Sequence, residues 1–301
     1  MNTALLALEQ TFQASSLERI DDALLNQHDI ELWIKRDDQL HPIISGNKWR
    51  KLKYLIRHAL ERDAHTLISM GGAYSNHLHA LGFVGKMLGL QTIGYIRGEC
   101  PSPLTPTLQD LQDWGMDLRF ISRGDYRQLR HYHGWQDLPN LKARQYWLPE
   151  GGAQPLALKG IAEMIHEINI PYDWLCVPCG TGTSLAGMIK AASNTVHLLG
   201  FAALNHAEFL RADIAKLIAI PFYNWQVNLD YHCGGFAKTT PALLDFINTF
   251  EQRTGIPLEP IYTGKMLYGL YDLIANNYFP LGTKIIAIHT GGLQGNRGLT
   301  R

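Results

Sequence analysis

Short apolar runs alternate with amphipathic stretches along most of the chain, and this alternation restricts the fold more than any other feature. Runs suited to strands lie near 31–35, 66–69, 92–96, 118–122, 145–148, 173–177, 197–203, 226–229 and 284–288. Between them, apolar positions recur at three- and four-residue spacing. That spacing predicts helices near 47–61, 75–88, 104–113, 124–132, 156–168, 183–192, 206–219, 239–253 and 264–276. Short apolar strands separated by amphipathic helices imply an α/β fold, with parallel sheets covered on both faces. A chain of 301 residues suits two units. The stretch PEGGAQP, 149–155, is the best boundary. A smaller α/β unit is expected over 48–150, inserted into a larger one made of 1–47 and 151–301.

Charge removes some function classes. The 27 basic and 27 acidic residues cancel, so bulk charge favours neither nucleic acid nor an anionic membrane. Apolar runs such as LISM and IIAI are far too short to span a bilayer. The first residues, MNTALLALEQTFQ, lack the basic start of a signal peptide. Four cysteines in such a chain do not make a disulfide framework, and a cytoplasmic location is expected. Cys176 and Cys179 form a CxxC with no second pair or histidine cluster at zinc spacing, so no metal site is expected.

The segment SGNKWRKLKYLIRHAL, 45–60, reads as a helix with Ser45 as its N-cap. With Lys48 set at zero and ~100° per residue, the apolar side chains fill an arc from about 340° to about 120°. Lys48 falls inside that arc, while Arg50, Lys51, Lys53 and Arg57 fall opposite it or at its borders and read as a solvated face. A lysine on the apolar side either snorkels from a frayed helix end or is a desolvated amine. A desolvated amine has a lowered pKa and can condense with an aldehyde.

Four junctions carry polar groups at strand ends. In WLCVPCGTGTSLAGMI a strand runs into Gly180, Thr181, Gly182, Thr183 and Ser184, and a helix follows. Such a turn aims successive N–H groups at one point and adds a helix N-terminus, which makes a phosphate cup. It is neither a Walker loop nor GxGxxG. In GGAYSNH, Ser75, Asn76 and His77 open a helix, and such groups hold a carboxylate or simply cap. In HTGG, Thr290 ends a strand. In PIYTGK, Tyr262 and Thr263 precede a helix, where a tyrosine serves as acid or base or as a half-buried aromatic.

The succession IKRDD, SGNKWRKL, GGAYSNH, PEGG, CGTGTSLAG, YTGK and HTGG resembles the fold type II pyridoxal-phosphate enzymes. The branch is the one containing D-cysteine desulfhydrase and 1-aminocyclopropane-1-carboxylate (ACC) deaminase. The resemblance implies two open, mostly parallel twisted sheets covered by helices, as in the tryptophan synthase β subunit. It implies pyridoxal 5'-phosphate as cofactor, a small amino acid as substrate and a homodimer. It makes Lys48 the Schiff-base lysine and gives Asn76 the cofactor's ring hydroxyl. Ser75, Asn76 and His77 would receive the substrate carboxylate, and Gly180 to Ser184 the phosphate. Thr290 would face the pyridine nitrogen, and Tyr262 the substrate.

Within the branch, ACC deaminase has glutamine and glutamate where this chain has His77 and Thr263. Both match the desulfhydrase side. With threonines at 263 and 290 the pyridine ring is expected to stay near neutral, which suits loss of a good β-substituent. Where the branch has a second tyrosine, this chain reads Gly235-Phe236. The expected activity is β-elimination from D-cysteine or a β-substituted D-alanine, giving pyruvate and ammonia, with Lys48, Tyr262 and Ser75 as catalytic groups. The alternatives are ACC deamination to 2-oxobutyrate and ammonia, amino-acid racemisation, and a non-catalytic phosphate- or nucleotide-binding protein.

Overall fold

The computed structural model describes residues 3–298. Residues 1, 2 and 299–301 of the expected larger unit lie outside the described residues. The strands are β1 (Leu17–Ile20), β2 (Glu31–Lys35), β3 (Thr66–Gly71), β4 (Gln91–Arg97), β5 (Asp117–Ile121), β6 (Gln145–Trp147), β7 (Trp174–Cys179), β8 (His197–Ala202), β9 (Trp225–Asn228) and β10 (Lys284–Ile288). The helices are α1 (Thr3–Glu9), α2 (Ala23–Gln27), α3 (Asn47–Glu61), α4 (Asn76–Leu88), α5 (Pro106–Asp113), α6 (Arg123–Leu129), α7 (Pro155–His166), α8 (Thr183–Ala191), α9 (Phe209–Ile218), α10 (Pro241–Thr254) and α11 (Thr263–Ala275).

Two sheets result. The larger has the order β1-β2-β10-β7-β8-β9, and the smaller β5-β4-β3-β6. All pairings are parallel except that of the edge strand β1 with β2. Each predicted strand and helix has a counterpart. The unforeseen elements are α1, β1 and α2, of 7, 4 and 5 residues, too short to show a period. Leu5 and Leu8 of α1 pack in one core with Leu52 of α3, Leu67 of β3 and Leu81 of α4, so the first helix covers the smaller sheet and not the larger. Among the described residues no helix is long and apolar enough to cross a membrane.

Helix α3 lies between the two sheets. Trp49, Leu52, Leu55, Ile56 and Ala59 face the smaller sheet's core, as the helix wheel implies. The opposite face is not solvated as expected. It is covered by α7, which approaches so closely that a Cβ on Gly160 would lie 1.9 Å from the Arg50 carbonyl oxygen. Arg50 is buried and pairs with Asp37 at 3.0 Å and with Glu167, while Lys35 joins Glu167 from β2. Lys53 reaches Glu163 of α7 at 2.9 Å. A buried charge must be paired, and these acids come from segments distant in sequence, so a wheel drawn for α3 alone cannot show them.

The carboxyl ends of β3, β7 and β10 lead into the glycine-rich turns singled out above. Crevices outside the carboxyl ends of parallel strands are where open α/β sheets bind ligands.

Candidate active site

Helix α3 begins at Asn47 as expected, but its cap falls one residue after Ser45. Gly46 is the N-cap, at φ +70°, and no side chain caps the helix. The cause is a lock between two turns. A Cβ on Gly46 would fall 1.8 Å from the Thr290 carbonyl oxygen, and one on Gly291 would fall 2.7 Å from Ser45 Oγ. The Asn47 N–H donates to the same Thr290 oxygen at 3.3 Å. Thr290 itself is buried.

This lock sets Lys48 at the first turn of α3. Its amine donates to Asn47 Oδ1 at 2.6 Å, and Asn47 Nδ2 donates to Ser184 Oγ at 2.8 Å. Lys48 stays partly accessible at the carboxyl ends of the strands, yet protein surrounds the amine. Desolvation lowers its pKa to about 8 against the opposing pull of Glu259. The solvated, snorkelling alternative is not what the fold builds.

The phosphate-cup residues come together at the start of α8. Gly182 is the N-cap at φ +71°, and the hydroxyls of Thr181 and Thr183 lie 2.8 Å apart. The first N–H groups of a helix have no partner within it. Thr183 and Ser184 are buried. The PEGG turn closes over the cup, since a Cβ on Gly151 would meet Thr181 at 3.1 Å and one on Gly152 would lie 3.7 Å from Lys51 Cβ.

Lys51, expected at the surface, is buried here. Desolvation and then the neighbouring Lys48 push its pKa well below the usual lysine value, and no carboxylate is among the groups acting on it. Two amines and a helix N-terminus thus share one place, where Glu259 acts on Lys48 but no carboxylate among the described residues acts on Lys51. That arrangement fits the phosphate of pyridoxal phosphate. The sequence reading missed Lys51 because on the wheel it borders the polar face.

His77 is buried nearby. Ser69 donates its hydroxyl to Leu148 O at 2.7 Å, so Ser69 Oγ accepts from His77 Nε2 at 2.9 Å. Nδ1 is then a bare acceptor, and it has no partner. Burial, with Lys48 and Lys51, lowers the His77 pKa to about 3. A neutral ring of this tautomer cannot donate to a carboxylate through Nδ1. His79 points away, to Asp110 at 2.9 Å.

Ser75 caps α4, accepting from the Leu78 N–H at 3.2 Å, and its own proton stays free to donate. Asn76 stands at the first position of that helix, beside Gly292. Tyr262 lies over the cup: a Cβ on Gly180 would be 3.2 Å from its ring. Burial and then Glu259 raise its pKa. Phe236 meets the Tyr262 ring edge-on at 6.0 Å.

Glu259 also escaped the sequence reading. Its carboxylate accepts from the N–H groups of Ile261, Tyr262 and Thr263 and from Thr263 Oγ1, at 2.6–3.0 Å. It caps α11 from inside, and desolvation raises its pKa to about 7. The Thr263 hydroxyl is occupied by it. The site therefore contains a carboxylate that the threonines at 263 and 290 had suggested was missing. An acidic residue just ahead of a helix was the available signal.

The family described as "Pyridoxal-phosphate dependent enzyme" matches residues 16–291. A protein of Arabidopsis thaliana, "Bifunctional D-cysteine desulfhydrase/1-aminocyclopropane-1-carboxylate deaminase, mitochondrial", is 32% identical over 88% of this chain and 73% of its own. The "1-aminocyclopropane-1-carboxylate deaminase" of Burkholderia vietnamiensis is 26% identical over 88% of this chain and 87% of its own. A crystal structure described as that of an "ACC deaminase homologue" superposes with a TM-score of 0.81 and 28% identity, over 98% of this chain and 97% of that one.

Proposed function

The chain belongs to the family of pyridoxal-phosphate dependent enzymes, and from that premise we propose that it is a lyase that removes the β-substituent of D-cysteine or a β-substituted D-alanine and yields pyruvate and ammonia. One observation carries the reading: the desolvated Lys48 amine is joined through Asn47 to an anion cup beside which a second buried amine, Lys51, has no carboxylate acting on it.

Bound pyridoxal phosphate supplies an aldehyde for an amine and an electron sink for negative charge at Cα. The protein groups do the rest. The N–H groups of Gly180 to Ser184 and the Lys51 ammonium would hold the phosphate, and Thr290 would face the pyridine nitrogen. Asn76 would meet the ring hydroxyl. The Ser75 hydroxyl and the free N–H groups at the start of α4 would take the substrate carboxylate. His77, lacking a proton on Nδ1, serves as an acceptor beneath the two lysines. Lys48 would hold the aldehyde and, once displaced, take the Cα proton, since a pKa lowered to about 8 gives it far more free base near neutral pH than an ordinary lysine has. Tyr262, pressed on Gly180, would hold or protonate the leaving group.

ACC deamination is the second reading. The names of the relatives favour it, and so does Glu259, a carboxylate within electrostatic reach of Lys48. Its oxygens are taken up by α11, so it acts through its field more than by a direct bond. Assays of D- and L-cysteine, β-chloroalanine and ACC in parallel, scoring pyruvate against 2-oxobutyrate, separate the readings. Deuterium exchange at Cα without either product would reveal racemisation. A Lys48→Ala protein that still took up borohydride label at the cofactor would contradict the role of Lys48. The homodimer rests on the family resemblance and the cytoplasmic location on the cysteine usage, and sedimentation of the purified protein tests the first.

A further inference from the structure

We propose that Gln294 is a positioning residue: held by Thr107, it fixes the Asn76 amide so that its NH2 group, and not its carbonyl, faces the site. The inference rests on the reading that Asn76 meets the ring hydroxyl of the cofactor. The three side chains form a chain of directed bonds. Thr107 Oγ1 donates to Gln294 Oε1 at 2.8 Å, and Gln294 Nε2 donates to Asn76 Oδ1 at 2.6 Å. An amide whose oxygen is occupied presents its nitrogen. Asn76 Nδ2 has no hydrogen-bond partner among the described residues, and it lies beside Gly292, where a Cβ would come within 2.8 Å of it.

The opposite sense is disfavoured. If both amides turned over, the Thr107 hydroxyl would lose its acceptor, and Thr107 is buried. A buried donor left without an acceptor costs more than a neutral hydrogen bond contributes.

The segment that carries Gln294 is itself anchored. Leu293–Gly298 forms a 3-10 turn crossing from the end of β10 to α5. Arg297 pairs with Asp110, which also receives His79 Nε2. Asn296 Nδ2 donates to Leu258 O at 3.1 Å. Gly298 lies against the Tyr74 ring, so closely that a Cβ would fall 2.3 Å from it. From the other side, Thr105 Oγ1 donates to Ala73 O at 2.6 Å. Thus the turn bearing Ser75 and Asn76 is gripped by α5 and by the segment after β10, and Gln294 is the part of that grip which reaches the site.

Gln294→Glu tests the sense of the chain. The new carboxylate keeps the shape and still accepts from Thr107, but it cannot donate to Asn76 Oδ1. The Asn76 amide then turns over and offers its oxygen to the site. Three quantities are measured: the dissociation constant of pyridoxal phosphate, the ratio of the visible to the near-ultraviolet band of the bound cofactor, and the thermal midpoint of the apo-protein. Gln294→Glu is expected to weaken cofactor binding about tenfold. It should also change the band ratio in the same direction as Asn76→Ala, with the apo midpoint within a few degrees of wild type. Thr107→Val should give a smaller change of the same sign, and Thr107→Ser should restore the wild-type ratio. If Gln294→Glu lowers the apo midpoint strongly, the Thr107 pair reads the same amide from its other end. Wild-type affinity and band ratio in Gln294→Glu, with a shifted ratio in Asn76→Ala, overturn the inference and leave the Asn76 reading intact. An unshifted Asn76→Ala overturns both.

Discussion

Gly46 and Thr290 touch backbone to backbone: a Cβ on Gly46 would sit 1.8 Å from the Thr290 carbonyl oxygen. This contact brings the first turn of α3, and Lys48 with it, onto the end of β10. At φ +70° the position also strains any L side chain. Gly46→Ala is therefore expected to separate the two turns. The cost should be about 3 kcal/mol or more, counting both strain and overlap. Urea unfolding gives the stability, and absorbance of the purified protein gives the cofactor content. A variant with the wild-type midpoint and full cofactor would show that the turns do not depend on each other.

Asn47 holds the lysine and the cup together, and its two variants separate bonding from charge. Asn47→Ala removes the bonds to Lys48 and Ser184 and should weaken cofactor binding about tenfold. Asn47→Asp has nearly the native shape and still accepts from Lys48. It cannot donate to Ser184, and it brings a negative charge to a cup meant for phosphate. It should bind the cofactor more weakly than Asn47→Ala. Equilibrium dialysis decides the order, and the reverse order would mean that shape matters there more than charge.

The family motifs and the alternation of strands with helices were legible because they are local in sequence. The wheel of α3 placed Lys48 inward for the same reason: Trp49, Leu52 and Ile56 share its side of one helix. The polar face failed as a guide because helices α3 and α7 pack closely at Gly160, which buries Arg50 against Asp37 and Glu167. Lys51 and Glu259 were missed for a related reason. Each is brought to the site by packing between segments: the PEGG turn and the start of α8 lie against Lys51, and Glu259 acts on Lys48 from ahead of α11. Gln294 meets Asn76 and Thr107 across long stretches of chain, and no spacing rule could have paired them.

The two buried amines predict how the apo-protein responds to alkali. Burial first, then mutual repulsion, keeps the Lys51 pKa well below 10.5, and burial lowers that of Lys48 to about 8. Unfolding restores ordinary values, so between pH 8 and 10.5 the unfolded chain binds more protons than the folded one. Stability contributed by these groups therefore rises with pH across that window. For Lys48 the cost of the buried charge is fully present below pH 8. Lys51→Met should flatten the rise. Added inorganic phosphate should raise the wild-type apo midpoint most below pH 8 and should lose most of that effect in Lys51→Met. Thermal melts at pH 7, 8.5 and 10 with and without phosphate make the comparison. Parallel curves for the two proteins would remove Lys51 from the cup.

Glu259 predicts a dependence of opposite sign. Its folded pKa of about 7 exceeds the ordinary 4.5, with desolvation the largest cause. Between those values the folded state keeps a proton that the unfolded chain has lost, so the contribution of Glu259 to stability falls as pH rises from 4.5 to 7. A displacement of that size corresponds to a loss on the order of 3 kcal/mol. His77, lowered by burial to about 3, works the other way between pH 3 and 6.5, and Lys48 contributes above pH 8. Comparing wild type with Glu259→Gln cancels the His77 contribution, and a lower Lys48 pKa in the variant narrows the gap in the same sense. Glu259→Gln is expected to be the less stable protein at pH 5, because an amide cannot replace both carboxyl oxygens at the N–H groups of α11. The gap should narrow by pH 8. The same substitution removes the charge that opposes desolvation at Lys48, so the Lys48 pKa falls and the acidic limb of the pH–rate profile moves to lower pH. Urea midpoints of the two apo-proteins at both pH values test the first expectation. An acidic limb that stayed in place would show that the field of Glu259 does not reach the Lys48 amine.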